Sequence, residues 1–313
     1  MIMEPFSLQL SNGGVVAGAK CIPPPSPTTV DSKPLIVALH GGSYDHRYFD
    51  ATPKYSAANT SKALGVPFVA IDRPSHGGTS SILPIPEGSN VNQESGMFIH
   101  KYILPNLWSE IGVPNVCNCI VLLCHSMGSM SGIVAAALRA EDDEHQYPLG
   151  GIIASGMGDR LQHWMTESPL GWSQVDEHMV QLPSDRKDDV LLPSGTAPEE
   201  VLQRVDRLNA PAALADLMFS ETWIPVWQAR WAGRVSVPVS FAMVKDDCFF
   251  VVDEEYMQEY RTAFKSSRRV DVSLLNDAPH CIELSYWSQG WYARCFGFAL
   301  ECAADMHRLH RQQ

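Results

Sequence analysis

The sequence predicts an α/β protein built on a mostly parallel, doubly wound sheet that is interrupted by a mostly helical cap insertion. Three observations carry this expectation. Short apolar runs without polar alternation recur along the chain, as expected of strands buried on both faces. Helix-compatible segments separate most of them, the alternation that produces a parallel sheet covered on both sides. One long stretch, from Asp159 to Gly233, breaks the alternation and shows no clear strand.

The elements follow in order. An N-terminal hairpin spans about Phe6 to Lys20, and Pro23-Pro24-Pro25-Ser26-Pro27 reads as the loop after it. Strands are expected at Pro34–Leu39, at Pro67–Asp72, in the apolar run before Ser126, at Gly151–Ala154, at Val237–Val244 and at Val270–Leu275. Between them lie helix-compatible segments at Thr52–Leu64, Asn92–Ile111, Ser126–Ala140 and Asp253–Ser266, and Ser288–Arg311 reads as a closing helix. The chain is therefore divided into a first core part (1–158), the insertion (159–233) and a second core part (234–313). Within the insertion, Ala197–Leu208 and Ala210–Phe219 are helix-compatible, and Pro183–Asp189 reads as an exposed loop. The insertion holds Trp164, Trp172, Trp223, Trp227 and Trp231, five of the chain's eight tryptophans. Most of these are expected to form its own core, with Trp223 and Trp227 assigned to the substrate side.

Composition narrows the function classes. The 313 residues, 45% hydrophobic and 19% charged, suit a globular chain long enough to bury a full core. A formal net charge of -12 leaves no basic footprint for nucleic acid. No apolar run has the length of a membrane span, and Met1–Phe6 lacks the basic and apolar regions of a secretory signal. The eight cysteines are scattered, without C-x-x-C or zinc spacing, so reduced thiols, no metal and a cytoplasmic location are expected.

The richest segment is Ile120-Val121-Leu122-Leu123-Cys124-His125-Ser126-Met127-Gly128, followed by the small, helix-compatible Ser129–Leu138. A serine at a strand-to-helix turn, with glycine two residues on, reads as a nucleophile elbow of G-x-S-x-G type with Cys124 in the first glycine position. The alternative is a serine that only caps a core helix. A nucleophilic serine needs a base and a group that orients it. His280, in the short loop after the last strand, is the candidate base. Asp247 is the candidate acid, and its neighbour Asp246 is the alternative. Each of the three follows a predicted parallel strand, in the chain order Ser, Asp, His. Acyl transfer also needs backbone donors for the developing oxyanion. The Met127 N–H and, from the loop His40-Gly41-Gly42-Ser43, the Gly42 N–H are assigned that task, with His40 holding the loop. Tyr44 and Asp45, just beyond, are candidate pocket residues.

The pieces His40-Gly41-Gly42, Asp72-Arg73-Pro74-Ser75-His76-Gly77-Gly78-Thr79-Ser80, His125-Ser126-Met127-Gly128, Asp247 and His280 together resemble the α/β-hydrolase fold superfamily, in its cap-bearing esterase, lyase and epoxide-hydrolase type. The resemblance runs from about Pro34 to the end. The second piece is similar to the family's D-R-P-G-H-G-x-S turn, with Ser75 in place of a glycine, and the resemblance implies a structural task for His76. Relatives that open epoxides or displace halide carry aspartate at the nucleophile, so Ser126 points away from both. What remains is a serine hydrolase acting on an ester, lactone or thioester of a small apolar molecule, with no cofactor. Rivals are a carbon–carbon hydrolase or lyase with the same triad, a thioesterase or cyclase serving a carrier, and a ligand-binding protein without turnover. The sequence leaves the oligomeric state open.

Overall fold

The computed structural model describes residues 2–25, 32–167 and 170–310. The expected loop residues Ser26 and Pro27 and the expected helical residue Arg311 lie outside them. Strands β1 (Glu4–Gln9), β2 (Val15–Cys21), β3 (Pro34–Leu39), β4 (Phe68–Ile71), β5 (Cys119–His125), β6 (Leu149–Ser155), β10 (Val239–Val244) and β11 (Val270–Leu275) form one eight-stranded sheet. Its order is β1-β2-β4-β3-β5-β6-β10-β11. β2 pairs antiparallel with β1 and β4, and all later pairings are parallel. Every residue of β3, β4, β5 and β6 is buried, which explains their unbroken apolar sequences.

Helices α1 (Ala57–Leu64) and α12 (Ser288–His310) cover one face, where Ala57, Ala58, Tyr292 and Phe296 join Ile36, Ala38 and Val121. On the other face, α4 (Met127–Glu141) and α11 (Glu254–Ala263) place Ile133, Val134, Tyr256 and Tyr260 against Val37, Leu122 and Phe241. α1 starts later than the sequence suggests because Ser56 caps it, its Oγ accepting from the Ala58 N–H. The segment expected as one helix from Asn92 is a relay of α2 (Val91–Phe98), a π-helical stretch (Ile99–Ile103), α3 (Leu104–Leu107) and a second π-helical stretch (Trp108–Gly112). Pro105 lies within it and lacks the N–H that an uninterrupted α-helix needs.

The segment between β6 and β10 departs from expectation in three respects. It contains strands, β7 (Ser173–Gln174), β8 (Met179–Gln181) and β9 (Ala212–Ala213), which form a small antiparallel sheet. Strands of two or three residues carry no readable period. The expected exposed loop at Pro183–Asp189 is largely helix α6 (Ser184–Leu191), which buries Lys187 and Leu191. The apolar end of that helix lies beyond its charged run, so the run alone reads as solvated loop. Ala197–Leu208 splits into α7 (Glu199–Leu202) and α8 (Val205–Leu208), and Ala210–Phe219 opens with β9 instead of a helix, directly after Pro211. Short helical turns, α5 (Trp164–Glu167), α9 (Phe219–Thr222) and α10 (Trp227–Arg230), make up much of the rest.

The cysteine that stands for the first glycine of the serine turn has a structural answer one helical turn away. A Cβ on Gly132 of α4 would lie 2.5 Å from Cys124 Sγ, and one on Gly128 would lie 2.5 Å from the Leu39 carbonyl oxygen. The close approach of helix and strand is kept because the glycine sits on the helix and the thiol on the strand. Gly132→Ala is therefore expected to destabilise the protein. Combining it with Cys124→Gly should recover part of the loss, with a coupling energy of roughly 1–3 kcal/mol in a double-mutant cycle read by urea unfolding.

Candidate active site

Ser126 joins the central strand β5 to α4 with φ 52 and ψ −124, a conformation that non-glycine residues rarely adopt. The junction is tied to the neighbouring strand. The Ser126 N–H donates to the Ser155 carbonyl at 2.8 Å, and the Ser129 hydroxyl reaches the Cys124 and Ser155 carbonyls at 3.2 Å each. Its hydroxyl faces His280, whose Nε2 lies 3.2 Å from Ser126 Oγ. On the other side of the ring, His280 Nδ1 is 2.9 Å from Asp247 Oδ2. A carboxylate only accepts, so Nδ1 carries the proton and Nε2 is free to accept from the serine. The second oxygen of Asp247 accepts from the N–H groups of Phe249 (2.8 Å) and Phe250 (3.3 Å), which fixes the carboxylate. Asp247 is buried, whereas Asp246 is exposed. Phe249 and His125 pack edge-on against the His280 ring, at 4.8 and 5.0 Å.

Two recesses meet at Ser126. The larger, about 250 Å³, is lined by Met127, Met130, Trp164, Met165, Leu170, Trp172, Leu217, Phe219, Phe249 and Phe250. The smaller, about 50 Å³, is bounded by Gly41, Gly42, Ser43, Tyr44, His125 and His280, with Leu182 and Leu191 from the segment above. Gly42 and Met127 both border the smaller one, and the Met127 N–H belongs to the first turn of α4, where the helix offers it no partner. Among the described residues no Asp, Glu, Lys or Arg lines either recess.

The sequence reading placed Trp223 and Trp227 at the substrate side, and the structure places them elsewhere. Both are fully buried, Trp227 stacks on Trp223 and contacts Tyr260 and Phe264, and neither lines a recess at Ser126. Trp164 and Trp172 stand in the cleft instead. Asp45 does not reach the cleft either; it accepts from the Arg47 backbone N–H at 2.9 Å and pairs with the Arg47 guanidinium. Phe249 and Phe250 were missed, although an aromatic pair two residues past the candidate acid is a readable signal. Lys187 gave no signal, because it lies in a run of charged residues.

The loops around the site are held by buried polar contacts. His40 Nε2 accepts from the Arg73 N–H at 3.0 Å, while Nδ1 lies 2.8 Å from the Gly41 carbonyl, so His40 holds the glycine loop. Burial, reinforced by the Arg73 charge, keeps its pKa well below the usual histidine value. Asp72 accepts from the His46 and Gly78 N–H groups at 2.9 Å each and closes the turn that follows β4. Arg73 reaches Asp216 of the inserted segment at 2.9 Å, with His76 at 3.4 Å from the same carboxylate oxygen, and all three are buried. Burial alone would raise the Asp216 pKa, but the Arg73 guanidinium and the His76 contact hold it well below the carboxylate range.

A parallel sheet crossed by helices, with its polar contacts gathered at the carboxyl ends of β5, β10 and β11, defines a protein whose site is built on strand-end loops. The sequence model of the alpha/beta hydrolase family matches residues 36–292, and the chain belongs to that family. Solved structures agree on the fold. A monoacylglycerol lipase of Paleococcus ferrophilus superposes with a TM-score of 0.57 at 15% identity, covering 87% of this chain and 96% of its own. An epoxide hydrolase of Vigna radiata gives 0.59 at 14% identity, covering 95% and 97%. An E-2-(acetamidomethylene)succinate hydrolase gives 0.59 at 13%, covering 96% and 99%. Among curated proteins no sequence match is found.

The depressed Asp216 pKa fixes the sign of a pH effect. Its ionised form contributes stability that is present above the unfolded carboxylate value of about 3.9 and is lost as pH falls below it. Asp216→Asn is expected to lose roughly 3–5 kcal/mol at pH 7, because a buried Arg73 is left uncompensated. The gap to the unsubstituted protein should narrow when urea unfolding is repeated near pH 3.

Proposed function

We propose that this protein is a serine hydrolase that cleaves an ester, lactone or thioester of a neutral, apolar small molecule through an acyl-enzyme. The observation that carries the reading is the unbroken contact series Ser126 Oγ–His280 Nε2 and His280 Nδ1–Asp247 Oδ2, opening onto an apolar cleft. Membership of the hydrolase family supports it.

In the proposed reaction His280 takes the Ser126 proton as Oγ attacks the substrate carbonyl. Asp247 holds the imidazole and stabilises the imidazolium. The N–H groups of Gly42 and Met127 bind the oxyanion. The leaving alcohol or thiol takes its proton from His280, and a water activated by the same imidazole then releases the acid. Because His280 and the oxyanion glycine border the smaller recess, the leaving group departs there and the acyl group occupies the larger one. A cavity of about 250 Å³ exceeds the ~150 Å³ that holds a benzene ring. Residues 159–233 act as a cap, supplying Trp164, Met165, Leu170, Trp172, Leu217 and Phe219 to that acyl side.

A fluorophosphonate probe with peptide mapping is expected to modify Ser126, and Ser126→Ala should abolish both labelling and turnover. Asp247→Asn should lower kcat by about 10³–10⁴-fold, far more than Asp246→Asn. Labelling at another residue, or a larger loss from Asp246→Asn, would remove this assignment. On p-nitrophenyl esters, kcat/KM should rise with acyl length from acetate to a medium chain. On alkyl esters of one medium acid it should fall as the alcohol lengthens, and the reverse pattern would exchange the two recesses.

A further inference from the structure

Lys187 lies on α6, in the segment inserted between β6 and β10, and its side chain is fully buried. Its Nζ donates to the Ser43 carbonyl at 3.2 Å and to the Leu208 carbonyl at 3.1 Å, and stands 4.0 Å from the centre of the Tyr44 ring. No carboxylate lies within ion-pair distance of it among the described residues. A buried ammonium without a counter-ion is expensive and is normally replaceable by an apolar side chain of the same shape. Its place in the fold therefore calls for a reason other than stability.

The reason lies in what it holds. Ser43 follows Gly42 directly and has φ 60, an uncommon conformation for a residue with a side chain. Its own hydroxyl is buried with no hydrogen-bond partner among the described residues, so the side chain does not fix the turn. Its carbonyl does, by accepting from Lys187 Nζ and from the Ala210 N–H at 3.0 Å. Both donors belong to the inserted segment. The Tyr44 ring beneath Nζ extends to its hydroxyl, 3.5 Å from Cys281 Sγ, and Cys281 follows His280 in the chain. One ammonium thus touches the glycine loop and, through Tyr44, the loop of the candidate base.

We propose that Lys187 is a positioning residue that holds the Gly42-Ser43 turn in the oxyanion-binding conformation, so that seating of the inserted segment and assembly of the oxyanion site are one event. The inference rests on the serine hydrolase reading above. It makes the oxyanion site dependent on an element outside the sheet. Burial lowers the Lys187 pKa to about 8, opposed by the negative charges of Asp188 and Asp45 and aided by Arg47, while the buried Cys281 thiol, pushed up to about 12, stays neutral in that range. The groups facing it are therefore Asp188 on its own helix, Tyr44 and Asp45 with Arg47 on the segment after β3, and Cys281 on the loop after β11. Loss of its proton above about 8 turns the ammonium into a weaker, uncharged donor, so kcat should decline through that range.

The test is steady-state kinetics of Lys187→Met on a p-nitrophenyl ester that the unsubstituted enzyme turns over, across pH 6–10. The expected result is a kcat lower by roughly 10–100-fold, short of the ~10²–10³-fold loss seen when an oxyanion donor is removed outright, with KM within about twofold. The fall in kcat near pH 8 should be present in the parent enzyme and absent in the variant, while thermal unfolding is unchanged or raised. Lys187→Gln, which keeps a neutral donor, should lie between the two. A Lys187→Met enzyme with kcat within twofold of the parent and the same alkaline fall overturns the proposal. If Lys187→Met does not fold, the parent's own profile decides, and a kcat flat through pH 8 overturns it. Fluorophosphonate labelling of the parent separates this failure from the larger one. A parent that labels at Ser126 while the Lys187 results are negative removes only the positioning role, whereas a parent that does not label removes the hydrolase reading itself.

Discussion

The backbone of Ser126 is the constraint on which the rest of the molecule depends. Holding a non-glycine residue at φ 52 and ψ −124 costs about 1–3 kcal/mol. The surrounding structure must over-determine it. It does so with two hydrogen bonds to the Ser155 carbonyl, one from the Ser126 N–H and one from the Ser129 hydroxyl, and with a strand, β5, whose seven residues are all buried. The close contact of Gly132 with Cys124 and of Gly128 with the Leu39 carbonyl then sets how tightly α4 descends onto the sheet. Strand order puts the serine between β3, which leads into the Gly41-Gly42 loop, and β6. β10 and β11, next in the sheet, lead to Asp247 and His280. The three side chains meet because parallel strands deliver their following loops to the same edge.

The inserted segment is joined to this edge by two buried cations of opposite arrangement. Arg73 of the core reaches outward to Asp216, and Lys187 of the insertion reaches inward to the Ser43 carbonyl. The first is a buried, paired charge between the insertion and the turn after β4. The second is an unpaired charge solvated by two carbonyls and an aromatic face, and it meets the glycine loop at its uncommon Ser43 conformation. Further polar ties, among them Arg207 to the Asp50 and Ala51 carbonyls, hold the same segment, while its apolar side chains line the larger recess.

Much of this was legible in the sequence, for physical reasons that differ by element. The central strands were readable because burial on both faces leaves unbroken apolar runs, as in β3, whereas β11, a half-buried edge strand, has its expected limits with polar residues interleaved. His280, and Asp247 with Asp246 as its alternative, were singled out because they follow the last two predicted strands, and of the two aspartates the structure brings Asp247 to the His280 ring. The inserted segment was not readable. β7, β8 and β9 are too short to show alternation, and α6 begins inside a charged run whose apolar contacts lie at its end. Tryptophan content identified the segment as apolar but not which ring faces inward. Trp227, stacked on Trp223, packs on Tyr260, which belongs to a later part of the chain, and nothing local distinguishes the two from Trp164 and Trp172.

Beneath the His280 ring lies a second layer of polar residues, and its protonation bears on how the proposed mechanism places charge. His125 Nδ1 is 3.2 Å from Ser155 Oγ, and Glu283 accepts from the Tyr48 hydroxyl at 2.7 Å and the Trp291 indole N–H at 2.8 Å. Burial pushes the Glu283 carboxyl up and, with help from the neighbouring His280, pushes the His125 imidazole down. Both groups are driven toward their neutral forms. A charged His125 at 5.0 Å from His280 would oppose the imidazolium that forms when the serine gives up its proton, and a neutral one does not. In the proposed mechanism the layer packs against the ring and leaves Asp247 as the group that answers its charge. In the same proposed mechanism that single carboxylate, held by the Phe249 and Phe250 N–H groups, sets the tautomer of the base and so the direction in which the proton moves.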